Sequence, residues 1–168
     1  MKTIKSFISA LVLLAAMALG ASAQTSFPTL NGSRVDLSAN KGKVVILSVG
    51  ASWLPLSAKQ AEYTNVLAKR YTGKDVVVYF VTTDSTDARS KNYASNDGIL
   101  KFTTTTKLTV PVLRDSDGAT ILKLYNVDQL PSFVILDKQG KLVGQPFGGI
   151  DPKSDITIPI SKAVDRLL

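Results

Sequence analysis

The chain contains no cysteine and no histidine, and its two methionines, Met1 and Met17, both lie in its first 23 residues. Without cysteine there is no thiolate to attack a disulfide and no second sulfur to resolve the mixed disulfide, so thiol–disulfide exchange is excluded. Copper, zinc, haem and iron–sulfur sites are built on Cys, His or Met side chains. Past the leader none of these remains, so no cofactor is expected and only oxygen-ligated metals stay open. Aromatics make up only 7% of the chain, with a single tryptophan, Trp53.

Long hydrophobic runs are also scarce, and the one at the N-terminus has a specific form. Lys2 and Lys5 precede an almost wholly apolar stretch, Phe7–Leu19, which ends in Gly20 and the small residues Ala21-Ser22-Ala23. This is the layout of a secretory signal peptide. The apolar stretch is shorter than the about 20 residues that span a bilayer. Residues 1–23 are therefore expected to be a cleaved leader, and residues 24–168 one exported domain, periplasmic or secreted, with no stable membrane anchor.

Removing the leader lowers the formal net charge from +7 to +5. The remaining lysines and arginines are spread along the sequence, with Lys69-Arg70 the densest pair, so no basic stripe marks a nucleic-acid surface. An anionic envelope partner remains compatible with the excess charge. Asp115-Ser116-Asp117-Gly118 resembles the start of a calcium loop but lacks the distal glutamate, and it is read as a turn.

Periodicity gives the organisation. Asn31-Gly32 marks a hairpin or sharp bend. Lys43–Val49 is a nearly continuous apolar strand closed by Gly50, as expected for a strand buried on both faces. A helix is predicted from about Pro55 to Tyr71, with Tyr63, Val66, Leu67 and Arg70 or Tyr71 on its inner face and Gly73 as its stop. Asp75–Thr82 reads as a second buried strand and Thr86–Phe102 as a more polar helix. The threonine run at 103–106 reads as a loop, Val110–Leu113 as a short strand and Ala119–Tyr125 as a short helix. Ser132–Leu136 and Lys141–Phe147 read as a hairpin across Asp137-Lys138-Gln139-Gly140. A closing helix runs from about Ile158 to Leu168. Strands alternating with helices and then ending in a hairpin and a helix predict an α/β protein.

Three segments carry a family likeness. Asn40-Lys41-Gly42-Lys43-Val44-Val45-Ile46-Leu47 resembles the "KGKVVLL" strand of the TlpA/ResA-like thioredoxin-fold redoxins. Ala51-Ser52-Trp53-Leu54-Pro55-Leu56-Ser57 resembles their "A-T/S-W-C-P-x-C". Leu130-Pro131-Ser132-Phe133-Val134-Ile135-Leu136-Asp137 with Gly140-Lys141 resembles "P-T-x-F-(I/L)-I-D-x-x-G-K". The resemblance implies a thioredoxin-like fold: a central mixed β-sheet flanked by helices on both faces, with an N-terminal hairpin or extension. It also implies that Pro131 is the cis-proline facing the motif. Both sulfur positions are replaced, by Leu54 and Ser57, and Gln60 stands where relatives often carry a proton-relaying glutamate. No catalytic residue is therefore assigned. At Gly50 relatives commonly carry a large aromatic, so a shallow hollow is expected near Trp53.

Trp53 is either a recognition aromatic or a core-edge side chain, and packing is the reading taken because large aromatics usually bury most of their area. A serine–lysine hydrolase built on Ser57 and Lys59 is disfavoured, because residues two apart leave a helix on different faces. The functional reading is a redox-inactive binding or accessory protein. Its candidate groove comprises Trp53, Leu54, Pro55, Leu56, Ser57, Leu130, Pro131 and Ser132, holding a protein or extended peptide of the cell envelope. The alternatives are an enzyme with a non-thiol mechanism, whatever oxidoreductase label the family carries, and a purely structural subunit.

Overall fold

The computed structural model describes residues 25–151 and 153–168, so the expected leader lies outside the described residues. The chain opens with an antiparallel hairpin, β1 (Ser26–Pro28) and β2 (Arg34–Asp36), which pairs Phe27 with Val35. Its turn is closed by the Asn31 side chain, whose Oδ1 accepts from the Ser33 amide at 3.1 Å, and Gly32 takes the positive φ of 84° that the bend requires.

The main sheet has five strands in the order β5-β4-β3-β6-β7. They are β3 (Val44–Gly50), β4 (Val76–Thr82), β5 (Val112–Arg114), β6 (Ser132–Leu136) and β7 (Phe147–Gly148). β3, β4 and β5 run parallel, while β6 pairs antiparallel to β3 and β7 antiparallel to β6. Every residue of β3 is buried, as its unbroken apolar run predicts for a central strand covered on both faces.

One face carries α1 (Ser57–Arg70) and α4 (Thr157–Asp165), which pack Tyr63, Leu67, Tyr71, Ile160 and Val164 against Val44, Ile46, Val78, Phe133 and Ile135. Beside them α2 (Asn96–Thr105) sets Ile99 against Phe80 and Val112. The opposite face is covered by the hairpin, a 3-10 turn at Leu37–Asn40 and the short α3 (Ile121–Leu124). There Phe27, Leu37, Ile121 and Tyr125 meet Val45, Leu47, Val49 and Val134. This is the thioredoxin-like arrangement, with a mixed sheet between helices.

Four local expectations need correction. The polar segment from Thr86 is not helical: α2 begins only at Asn96, where Ser95 accepts from the Gly98 amide at 3.1 Å as N-cap. Before it, Asp87 and Ser90 accept from the Arg89 and Asn92 amides, and these local turns outcompete a helix. The threonine run is helical instead of looped, because Thr103 and Thr104 both donate their hydroxyls back to the Leu100 carbonyl. Val66 faces solvent, since α1 turns Tyr63, Leu67 and Tyr71 inward. The second arm of the late hairpin shrinks to the two residues of β7 plus a bridge between Leu136 and Leu142, with Pro146 and Gly144 interrupting the ladder.

Candidate functional site

The site lies where β3 ends. Beyond Gly50 the chain makes two tight turns before α1 starts. The Leu54 amide bonds the Ala51 carbonyl at 3.3 Å, and the Ser57 amide bonds the Leu54 carbonyl at 3.1 Å. The Ser57 side chain is buried and its hydroxyl donates to the Ala51 carbonyl, so it holds the loop and is not presented to a substrate. Lys59 points elsewhere: its Nζ bonds Glu62 at 2.9 Å and sits 4.7 Å above the Tyr63 ring. No serine–lysine dyad forms. Trp53 departs from the packing expectation, with 50% of its surface exposed at the tip of the loop. Leu54 and Leu56 beside it are half-buried, and Pro55 is exposed.

The hollow expected at Gly50 does not exist, because Gln60 fills it. A Cβ on Gly50 would lie 2.1 Å from Gln60 Oε1, a distance no side chain tolerates. The Gln60 side chain is fully buried. Its Nε2 donates to the Val49 carbonyl at 2.9 Å, and its Oε1 has no hydrogen-bond partner among the described residues. An amide suits this place better than a carboxylate, which would be buried beside a carbonyl with no cation to balance it. One turn on, Thr64 donates to Gln60 O or Ser48 Oγ, each at 2.7 Å, tying α1 to the centre of β3.

Asp84 is the important residue that the sequence reading missed. It follows β4, is wholly buried, and its carboxylate accepts from the Ser52 amide at 2.8 Å, the Ser52 hydroxyl at 2.6 Å and the Thr82 hydroxyl. It thereby fixes the residue before Trp53. The only sequence sign was an aspartate one step beyond a buried strand's Thr82-Thr83 end. Arg114 was missed as well. It is buried, and its Nη1 bonds Asn96 Oδ1 at 2.6 Å while its Nη2 bonds the Ala94 carbonyl at 2.8 Å, fastening the 84–96 segment to β5.

The second loop of the site comes from the other side of β3. The ladder between β3 and β6 ends with Val49 opposite Ser132, so the residues before Ser132 and those after Gly50 leave the same end of the sheet. The Leu130–Pro131 peptide bond is cis. Leu130 is half-buried against the core of the hairpin face, and Pro131 and Ser132 are buried. Among the described residues the backbone N–H and C=O of Leu130 have no hydrogen-bond partner. The structure thus brings both halves of the expected groove to one end of the sheet. Within it Ser57, Pro131 and Ser132 are buried, while Trp53 and Pro55 are exposed and Leu54, Leu56 and Leu130 are half-buried.

Asp115 caps α3, its Oδ2 accepting from the Ile121 amide at 2.7 Å, and Asp117 adopts a positive φ of 58°, so the Asp115–Gly118 stretch is a turn. Among the described residues no group of three or more Asp or Glu side chains is placed to hold a metal ion.

Fold and site together define a thioredoxin-like protein in which leucine and serine occupy the two sulfur positions. Residues 18–157 match the Redoxin family, and the chain belongs to it. It is 34% identical over 119 residues to the thiol-disulfide oxidoreductase ResA of Bacillus anthracis, a match covering 71% of this chain and 63% of that protein. The chain thus spans less than two thirds of the length of the curated relatives it matches. The exposed lipoprotein thioredoxin Etrx1 of Streptococcus pneumoniae superposes with a TM-score of 0.67 at 27% identity, over 84% of this chain and 98% of that one. A structure described as the thiol:disulfide interchange protein DsbE of Chlorobium tepidum gives a TM-score of 0.67 at 26% identity, over 83% and 92%.

Proposed function

We propose that the protein is an exported, redox-inactive accessory member of the Redoxin family that holds an extended peptide or protein segment at the end of its sheet. Export rests on the leader pattern of residues 1–23 and agrees with the name of the pneumococcal relative, an exposed lipoprotein. Redox inactivity rests on composition, because disulfide exchange requires sulfur and the chain has no cysteine. The observation that carries the binding role is the unpaired Leu130 backbone at the same end of the sheet as an exposed tryptophan. An unsatisfied N–H and C=O can pair with an extended segment as an added strand, and an aromatic ring supplies the desolvated contact that anchors such interfaces. The flanking Leu54 and Leu56 add apolar area to the same surface.

Trp53, as the sole tryptophan, serves as the reporter in the test. Peptides selected from a random library against the protein are titrated while its emission is followed. Binding should shift the spectrum, and Trp53→Phe, read by calorimetry, should weaken affinity about tenfold or more. N-methylation at one peptide position, the one pairing with Leu130, should abolish binding. Selected peptides that neither perturb Trp53 emission nor respond to N-methylation would overturn the proposal.

A further inference from the structure

The basic residues that look scattered in sequence are gathered by topology. β3, β4 and β5 run parallel, so their starting ends share one side, and the β6 finish joins them because β6 runs the opposite way. That side receives Lys41 and Lys43 just before β3, Lys74 just before β4, Lys138 and Lys141 in the turn after β6, and Arg166 after α4. Contacts hold these segments together. The Gly42 amide bonds the Lys138 carbonyl at 2.8 Å, and Lys138 Nζ bonds the Leu168 carbonyl at 3.2 Å. All but the half-buried Lys138 are exposed.

The carboxylates on this side include Asp36, bonded to the Thr25 hydroxyl at 2.8 Å, and Asp75, Asp137 and Asp165, of which only Asp165 is in an ion pair among the described residues. Asp165 is paired with Arg70 at 2.9 Å, and Asp137 Oδ1 accepts from the Gln139 and Lys141 amides. Asp75 is exposed. At the opposite end, around the site, acids and bases are mixed. Asp84, Asp87, Asp97, Asp117 and Asp128 sit in segments that follow β4 or β5 or precede β6, and so do Arg89, Lys91 and Lys123, with Arg89 paired to Asp87 at 3.1 Å. The basic excess is therefore gathered on the side of the sheet away from the end that carries Trp53.

A second observation links this basic pole to the N-terminal segment. Thr25 lines the same small cleft as Lys41, Asp137 and Gly140, and its carbonyl accepts from the Leu37 amide at 2.9 Å. Residues 1–24 therefore join the fold at the basic pole.

We propose that the basic pole is a docking surface for an anionic membrane, bound through lipid headgroups, with the Trp53 end facing away. The proposal rests on the export reading for its compartment and is independent of the peptide groove. The contact is peripheral and electrostatic. Each basic side chain close to an anionic surface strengthens binding about fivefold, and the attraction decays over a Debye length of about 8 Å at physiological salt. Among the described residues no helix is long and apolar enough to cross a membrane.

The test uses vesicles of phosphatidylcholine with and without phosphatidylglycerol, the full chain, and sedimentation as readout. The charge-neutralising triple variant Lys41→Gln, Lys43→Gln, Lys141→Gln is compared with an equal neutralisation away from the pole, Lys91→Gln, Lys123→Gln, Lys153→Gln. All six lysines are exposed, so both variants should fold, as melting curves verify. The wild type should bind only the anionic vesicles and release them at high salt. The pole variant should lose about 100-fold in affinity, and the control less than about fivefold. Equal losses in both variants, or binding indifferent to phosphatidylglycerol, would overturn the proposal. So would capture of soluble polyphosphate without vesicle binding, which would make the pole a polyanion site.

Discussion

At the end of the sheet where β3 finishes, polar groups are turned inward: Asp84 and Ser57 are buried and bonded to the loop that carries Trp53, and Gln60 is buried and bonded to Val49 of β3. At the end where β3 begins, polar groups are turned outward, and Lys41, Lys43, Lys74 and Lys141 stand in solvent. The contrast separates architecture from charge. Substitutions of the buried polar groups at the site end should therefore act on stability, while substitutions at the basic end should act on long-range attraction alone.

Several measurements can break or sharpen this contrast. The largest change expected is a gain. The wild type should show no insulin-reductase or isomerase activity, while the pair Leu54→Cys, Ser57→Cys should form an intramolecular disulfide and acquire weak reductase activity. The Ser57 amide bonds the Leu54 carbonyl at 3.1 Å, so the two residues share one turn at the positive end of α1, where a thiolate is favoured. Two free thiols in a folded, oxidised variant, counted by mass spectrometry, would disprove the correspondence.

Next comes Asp84→Ala, which strands the Ser52 amide and two hydroxyls in a buried place and should cost about 3 kcal/mol in urea unfolding. A loss below about 1 kcal/mol would mean that the loop is held by other means. Gly50→Ala should cost about 2 kcal/mol by forcing Gln60 aside. Adding Gln60→Ala should recover part of that loss in a double-mutant cycle, and additivity of the two changes would deny the contact. By contrast Lys43→Gln should move stability by less than about 0.5 kcal/mol.

The smallest effect concerns pH. Hydrogen bonds from Tyr71 and then Arg70 hold the Asp165 carboxyl below the ordinary value of 3.8. Its contribution to stability is therefore present above about that pH and fades as pH falls through the lower folded value. Burial, the larger cause, raises the Tyr71 phenol above 10.0, so its contribution is full below that pH and is lost on further alkalinisation. Melting temperatures of Asp165→Asn should follow the wild type at pH 2 and fall below it at pH 6. Parallel acid limbs in the two proteins would refute the assignment.

Much of the fold could be read from the chain because its strongest signals are local. The all-buried β3, the turn at Asn31-Gly32 and the inner stripe of Tyr63, Leu67 and Tyr71 each obey a short-range rule. The segment from Thr86 could not be read so simply, since serine and aspartate side chains there satisfy backbone amides that a helix would also satisfy. At the site, the motif positions were legible through their likeness to a family. Asp84 and the filling of the Gly50 space were not, because each depends on a contact between residues far apart in sequence. The basic pole escaped for the same reason: only the alternation of parallel and antiparallel strands brings Lys43, Lys74 and Lys138 to one side.

The pairing of Gly50 with Gln60 also constrains how this protein could change. With Gln60 in its present rotamer, any side chain at position 50 collides with it, so a larger residue there requires Gln60 to swing away. A glutamate at position 60 would bury its charge beside the Val49 carbonyl unless it too swung out. Two sulfurs can be put back in a single step by mutagenesis, but the surroundings that would make them a good enzyme cannot. Positions 50 and 60 are therefore coupled, each limiting what the other can hold.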